Sequence, residues 1–451
     1  VFHFSSSLLN IAVKLGVFLI ISTLDIADLY KIYLQHSTVA TDTRHLPSGC
    51  LYFALKGKNF NGNLFAREAL DKGAAFAIID EGSETIDERF ILVEDVLSTM
   101  QKLARHHRDQ LNIPVLGITG SNGKTTTKEL LAAVLTKKFR CHVTKGNLNN
   151  HIGVPLTLLA MSTDTEIAVI EMGANKVGDN AELCHIFNPN YGLITNIGKE
   201  HLEGFGDLEG VARGNSELYV HLLKNAGSAF VNAADEHLMR MAARIPSKIL
   251  YSIHTTADYE AKIQQSNPEI LLTIQGKPYH SFLFGEYNAE NVTAAVAIGL
   301  HFGVAVADIQ MGIEEYIPTN NRSQVVRTKE NILYIDCYNA NPSSMALAIQ
   351  NFVSSDHALA EKVLMLGDMF EMGDHEFEEH QSLMTSLGGL QSIRLFICGQ
   401  AFGKHKHLAN CQWFENSTAL KNYIEMHPLT NAAILIKGSR GMKMEEVVSV
   451  L

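Results

Sequence analysis

Short apolar blocks recur along this chain, separated by longer stretches in which apolar residues return at every third or fourth position. Val115–Thr119, Ile167–Met172, Gly192–Ile197 and Ala229–Asn232 read as buried strands. Lys128–Phe139 instead repeats Leu130, Leu131, Val134, Leu135 and Phe139 at helical spacing, and Ala289–Phe302 reads as an alanine-rich helix. Such alternation predicts a mostly parallel sheet covered by helices, with ligands beyond the carboxyl ends of its strands. The same grammar appears on either side. Cys50–Leu55 and Ala75–Ile79 read as strands around a helix at Asn63–Lys72, and Gln101–Asn112 as a helix and linker. Ile332–Ile335, Val363–Leu366, Leu395–Cys398 and Ala433–Ile436 predict four further strands in a separate doubly wound unit.

The fold class is therefore α/β with three domains. A small N-terminal α/β domain (25–112) precedes a central P-loop ATPase domain with a mostly parallel sheet (113–320) and a C-terminal, doubly wound, Rossmann-like α/β domain (321–451). A length of 451 residues suits three units of roughly 150 each. Residues 1–24 read as an N-terminal extension. Leu8–Ile21 is apolar apart from Asn10 and Lys14, but no lysine or arginine precedes it and it is shorter than the roughly 20 residues of a membrane span. No stable membrane association is expected.

Composition narrows the chemistry. With 46% hydrophobic and 19% charged residues the chain has the balance of a soluble globular protein, and its net charge of -11 argues against nucleic acid. Cations that meet an anionic ligand must then be local. The six cysteines contain no C-x-x-C pair, which removes a zinc or disulfide framework and suits reduced thiols in the cytoplasm.

Between the strand Val115–Thr119 and the following helix lies Gly120-Ser121-Asn122-Gly123-Lys124-Thr125-Thr126. Glycines let backbone N–H groups approach phosphate oxygens, and a helix N-terminus adds positive potential. Lys124 can reach the terminal phosphates and the Thr125 hydroxyl can hold Mg²⁺, so the motif predicts ATP binding. One departure stands out: the full P-loop spacing places a glycine where this chain has Ile118, with Gly117 and Gly120 on either side.

Other candidates sit at neighbouring strand ends. Glu171, after the second central strand, is where a nucleotide-bound Mg²⁺ acquires a protein ligand. His201, after the third, enters the same crevice as a ligand, an orienting group or a purely structural residue. The loop Lys145–Pro155 carries Asn147, Asn149 and Asn150, whose amides can serve substrate oxygens or simply form turns. Asp336–Pro342, with Tyr338, Asn339 and Asn341, leaves a strand and enters a helix, and Arg322 lies at the junction of the second and third domains, where closure would carry it to phosphate. The charged run Glu371–His380 reads as a solvated face, although Asp368 and His380 could line the cleft.

Taken in order, Thr41–Arg44 with Phe60–Asn63, Gly146–Thr157, His201–Gly206, Asp336–Pro342 and Leu435–Arg440 resemble the Mur ligase family of peptidoglycan synthesis, over nearly everything from Asp25 to Leu451. The pattern is most similar to the member that adds D-Ala-D-Ala. The resemblance implies an ATP-dependent, Mg²⁺-requiring amide ligase that joins D-Ala-D-Ala to a UDP-N-acetylmuramoyl tripeptide through an acyl phosphate, acting as a monomer. It implies Glu171 and His201 as metal ligands beside Thr125, Asn288 and Asn291 at adenine, Asp336 at the ribose and Arg322 at the phosphates. Thr43, Arg44, Asn61 and Gly62 would lie near the uridine diphosphate, with Asn149, Asn150, Tyr338, Asn339 and Asn341 also meeting substrate.

The family commonly carries a carbamylated lysine where alignment puts Asn215, and an amide cannot become a carbamate. Glu200 or Glu217 would then supply the missing negative charge. Other amino-acid or folylpolyglutamate ligases, and a relative that binds nucleotide without catalysis, are the competing readings; the Tyr338–Pro342 segment disfavours the first two, and intact Lys124, Glu171 and His201 the third.

Overall fold

The computed structural model of the protein describes residues 25–82, 88–355, 361–390 and 392–451, so the expected extension 1–24 lies outside the described residues. Two compact units emerge. The first joins the described residues up to Asn112 with Lys145–Thr163 and His185–Asn188; the second holds the remaining described residues, to Leu451.

In the first unit, four parallel strands run in the order Val39–Ala40, Leu51–Phe53, Phe76–Ile79, Phe90–Leu92. The helix expected at Gln101–Asn112 is present and begins earlier. A helix spans Val96–Gln110 and buries Met100, Leu103, Ala104, His107 and Arg108. His107 and Tyr33 reach forward in sequence to carbonyls at Met161 (3.0 Å) and Leu159 (2.7 Å), while Gln101 donates to His151 at 3.0 Å. These bonds explain why Lys145–Thr163 packs with the first unit despite lying within the central stretch of sequence.

The second unit contains two sheets. The larger has nine strands, in the order Lys277–Ser281, Ile270–Ile274, Tyr259–Gln265, Ser247–Ser252, Ser228–Asn232, Tyr191–Ile194, Val115–Thr119, Ile167–Glu171, Cys141–Val143. It is parallel except where the first three strands form antiparallel pairs. Along Ile270–Ile274 buried and half-buried residues alternate, as a sheet with one wetter face requires. Val115–Thr119 lies between two strands that follow it in sequence, a point where strand order reverses and ligand crevices form. The helices Lys124–Leu135 and Glu286–His301 pack on this sheet through Leu130, Leu131, Val134, Val292, Ala295 and Val296, all fully buried.

The smaller sheet has six strands, in the order Gln324–Arg327, Asn331–Asp336, Ala432–Lys437, Glu361–Gly367, Ile393–Cys398, Gln412–Phe414. Only the first is antiparallel. Apolar cores on both faces, including Leu364, Leu366 and Leu435 on one and Val363, Met365 and Ile434 on the other, mark a doubly wound layer. Cysteines among the described residues are all free thiols.

Candidate active site

Three neighbouring strands of the large sheet deliver their carboxyl ends to one place. Thr119 runs into the Gly120–Gly123 turn. Gly120 holds φ +122°, and a Cβ there would meet Thr195 Oγ1 at 2.2 Å. Gly123 holds φ +81° against the Asn291 amide. The loop after Tyr191–Ile194 laces the turn into shape: Ser121 N–H donates to Asn196 O at 3.0 Å, Asn122 N–H to Asn196 Oδ1 at 3.0 Å, and Thr195 Oγ1 to Asn122 O at 2.7 Å. Ser121 Oγ both donates to and accepts from Gly198 at 2.9 Å. The helix beginning at Lys124 has no side-chain cap, which leaves its first N–H groups for an anion.

Lys124 and Thr125 bring two carboxylates to this helix start. Thr125 Oγ1 donates to Glu171 Oε1 at 3.2 Å, and Glu171 is 2% exposed at the end of its strand. Lys128, one turn beyond Lys124, is fully buried; its ammonium donates to Thr144 O at 2.8 Å and lies 3.7 Å from Glu171 Oε2. This lysine was not among the residues singled out from the sequence, although a cation one turn after the P-loop lysine on the same helix face was a usable signal.

Lys124 donates to Gly120 O and lies 3.1 Å from Glu200 Oε2. Glu200 Oε1 in turn accepts from Asn215 Nδ2 at 3.3 Å, and Asn215 Oδ1 accepts from Thr119 Oγ1 at 2.8 Å. Asn215 is thus a buried link in a polar chain. Of the two acids considered beside it, Glu200 makes contact, whereas Glu217 accepts from Gly178 (2.6 Å) and Ala181 (2.8 Å) N–H groups.

His201 takes a left-handed conformation, φ 42°, at the start of the short helix Leu202–Phe205. Its Nδ1 is 2.7 Å from Glu371 Oε2. Glu371 is solvent-exposed, as expected for this run, yet it is engaged: the hydrogen bond from His201 holds its carboxyl below the usual carboxylate range, outweighing the opposing effect of partial desolvation. Asp368 and His380 do not line a cleft. Asp368 accepts the Ala401 and Phe402 N–H groups at 2.9 Å each, while fully buried His380 accepts from Met369 N–H at 3.0 Å and donates through Nδ1 to Glu376 O at 2.7 Å.

The small sheet contributes a second cluster. Asp336 pairs with buried Lys437 on the adjacent strand and accepts from Ser323 N–H at 3.2 Å. The Arg322 guanidinium stacks 3.8 Å from the Tyr338 ring, and Arg440 donates to the Tyr338 hydroxyl at 3.1 Å. Asn341 caps the helix Pro342–Ser354 through a reciprocal box with Ser344, and its Nδ2 donates to Asn122 Oδ1 at 2.9 Å. Asn339 is exposed. The Asp336–Pro342 segment and the P-loop turn therefore meet directly.

Asn288 and Asn291 are buried below the turn. Asn288 donates to Phe284 O (2.8 Å) and accepts from Asn291 (3.0 Å), whose Oδ1 accepts from Thr127 at 3.2 Å. Thr126 is likewise buried. In the first unit, Thr43 and Arg44 follow the strand Val39–Ala40, and Gly62 packs on Ala54 and Leu55 just past the neighbouring strand Leu51–Phe53. Arg44 forks onto Asp42 at 2.6 Å, and Asn61 caps the turn that follows it and donates to Glu81 at 2.9 Å. Asn150 accepts from Ile152 and Gly153 N–H groups at 3.1 and 2.9 Å, which is turn formation; Asn149 is half-buried in the same loop.

Among the described residues no three His, Cys, Asp or Glu side chains converge as a ready-made metal cage. The Thr125 hydroxyl beside the Glu171 carboxylate is nevertheless the oxygen donor set that Mg²⁺ takes from a protein when phosphates and waters complete its shell.

A model of the Mur ligase middle domain matches residues 118–299, and one of the Mur ligase glutamate ligase domain matches residues 321–440. The chain is 38% identical over 433 residues to the UDP-N-acetylmuramoyl-tripeptide–D-alanyl-D-alanine ligase of Bacillus subtilis, covering 92% of each. It belongs to the Mur ligase family. Crystal structures of this family agree along most of the chain. MurF from Acinetobacter baumannii superposes with a TM-score of 0.83 at 31% identity, covering 91% of this chain and 92% of that one. MurF ligase from Thermotoga maritima, solved in complex with ADP, gives 0.80 at 25% identity, with 92% and 96% covered. Such Mur ligase architecture accounts for the strand-end crevice described above. Among the described residues no helix is long and apolar enough to cross a membrane.

Proposed function

We propose that this Mur ligase joins D-Ala-D-Ala to a UDP-N-acetylmuramoyl tripeptide at the expense of ATP, in the assembly of peptidoglycan precursors. The observation that carries the reading is the similarity at 38% identity over 92% of the chain to a ligase of that name, coupled to a P-loop whose lysine and threonine each face a buried carboxylate. The triphosphate would lie on the N-terminus of the helix Lys124–Leu135, with Lys124 at the transferring phosphoryl group. Thr125 and Glu171, joined by His201, would hold Mg²⁺. That ion would neutralise charge on the phosphate oxygens.

The chemistry is displacement in two stages. An oxygen of the tripeptide's terminal carboxylate bonds to the γ-phosphorus as the bond to the β-phosphate oxygen breaks, giving an acyl phosphate and ADP. The amine of D-Ala-D-Ala then adds to the acyl carbon and loses a proton; the tetrahedral intermediate collapses by breaking the carbon–oxygen bond to phosphate. The protein's part is to position reactants and offset charge. Lys124 does this at the phosphoryl group, with Arg322 brought to the phosphates. Asp336 would bind the ribose, Asn288 and Asn291 would hold the adenine end, and Tyr338, Asn339 and Asn341 would meet the peptide substrates beside the turn. Thr43, Arg44, Asn61 and Gly62 would take the uridine diphosphate, with Asn149 and Asn150 on the substrate as well. Glu200 supplies the anion that Asn215 does not. The same reading makes the protein a cytoplasmic monomer.

Phosphate release from ATP tests the proposal. It should require both UDP-N-acetylmuramoyl tripeptide and D-Ala-D-Ala. Release with a single amino acid in place of the dipeptide, or with neither amine present, contradicts it.

A further inference from the structure

Two loops that follow strands of different sheets meet at His201. One is Thr195–Gly206, beyond Tyr191–Ile194; the other is Asp368–His375, beyond Glu361–Gly367. Several contacts lash them together. Glu203 N–H donates to Glu371 O at 3.3 Å, His375 Nε2 lies 3.0 Å from Gly206 O, and Lys199 pairs with Glu379 at 2.6 Å. A Cβ on Gly373 would sit 3.0 Å from Glu203 Cα, so the backbones are close to contact.

At the centre is the 2.7 Å contact between His201 Nδ1 and Glu371 Oε2. Both residues hold positive φ, 42° for His201 and 63° for Glu371. Neither is glycine, and a left-handed conformation costs an ordinary residue about 1–2 kcal/mol. Strain at both ends of one hydrogen bond points to a use for that bond. Imidazole chemistry supplies one. A histidine that ligates a cation is neutral, and the nitrogen it offers is decided by the partner of the other.

We propose that Glu371 is a positioning residue: its carboxylate accepts the Nδ1–H of His201 and so keeps the Nε2 lone pair available to the nucleotide's cation. The inference rests on the reading of His201 as a metal ligand. It makes cation binding at the large sheet depend on a loop of the small one, so that the two halves of the ligase site are assembled together.

Long-range ¹H–¹⁵N NMR of the full chain reads the tautomer, with His201→Asn identifying the signal. The wild type and Glu371→Gln, whose amide oxygen still accepts, should show Nδ1–H; Glu371→Ala should shift the ring toward Nε2–H. Mn²⁺ titrated by EPR in the presence of ADP should bind about 10- to 100-fold more weakly to Glu371→Ala, and far less weakened to Glu371→Gln. Binding of ADP without metal should be unchanged in both, which establishes that the variants are folded. An unaltered tautomer and Mn²⁺ affinity in Glu371→Ala, or equal losses in the two variants, overturns the proposal. Unchanged Mn²⁺ affinity in His201→Asn overturns the ligand reading itself, and the proposal with it.

Discussion

The carboxylate of Glu200 lies 3.1 Å from the ammonium of Lys124, and its other oxygen is held 3.3 Å from the Asn215 amide. Both Glu200 and Asn215 are nearly excluded from solvent. Asn215, where the resemblance to the family leads one to expect an anionic carbamylated lysine, is neutral, while a carboxylate stands within hydrogen-bonding distance of it. If Glu200 provides that negative charge, Glu200→Ala should raise the Mg²⁺ concentration required for half-maximal activity by about tenfold, the lower end for losing an outer partner of a metal site. Titrations on the parent, Glu200→Ala and Asn215→Lys measure this. An unchanged metal dependence in Glu200→Ala removes Glu200 from the account.

Lys124 is the only P-loop side chain with a cation to offer the transferring phosphate. Lys124→Gln should lower kcat by about 10²–10³, the range for removing one preorganised donor from a developing charge. Steady-state kinetics with all three substrates measures it.

Asn341 carries two roles that substitutions can separate. Asn341→Ala loses the helix cap and should destabilise the protein by about 1 kcal/mol. Asn341→Asp keeps a capping oxygen but sets a carboxylate against Asn122 Oδ1, where the amide donated at 2.9 Å. Its stability should be close to the parent's while kcat falls, a contrast read by calorimetry and turnover on the same samples.

The P-loop turn and the strand-end acid were legible because their signals are local. Gly120 to Thr125 is continuous in sequence, and Glu171 follows directly on an unambiguous apolar strand. What was hidden depends on distant pairing. Nothing near Glu371 marks it as the partner of a histidine 170 positions earlier. The spacing of Lys128 from Lys124 was a signal, but its burial depends on Thr144 and Glu171, which are distant in sequence. Tyr259–Gln265 and the edge strand Lys277–Ser281 are too polar to stand out as strands, and each is held by antiparallel pairing with Ile270–Ile274. The segment Lys145–Thr163 looked central by its place in sequence, whereas bonds from Tyr33 and His107 decide where it packs.

Asp80 offers a pH test in the first unit. Burial alone would raise its pKa, but hydrogen bonds from Asn63 and Val96 N–H together with the ion pair to Lys56 bring it below the ordinary 3.8. A depressed folded-state pKa stabilises the fold above the unfolded value, and that contribution is lost as pH falls through the folded one. Asp80→Asn should therefore cost about 1–3 kcal/mol at pH 7. The gap should close as pH falls below 3.8, as the parent carboxyl also takes up its proton. Denaturant unfolding of parent and variant across pH 3–7 measures it.

The account turns on the tripeptide's carboxyl group being activated by direct phosphorylation at the Lys124 turn. The decisive measurement labels that carboxylate with ¹⁸O and follows the label by mass spectrometry through one turnover with ATP and D-Ala-D-Ala. The mechanism predicts that one ¹⁸O leaves with inorganic phosphate and the other stays in the new amide carbonyl, with ADP as the nucleotide product. Phosphate free of label, or AMP with labelled oxygen, would contradict it.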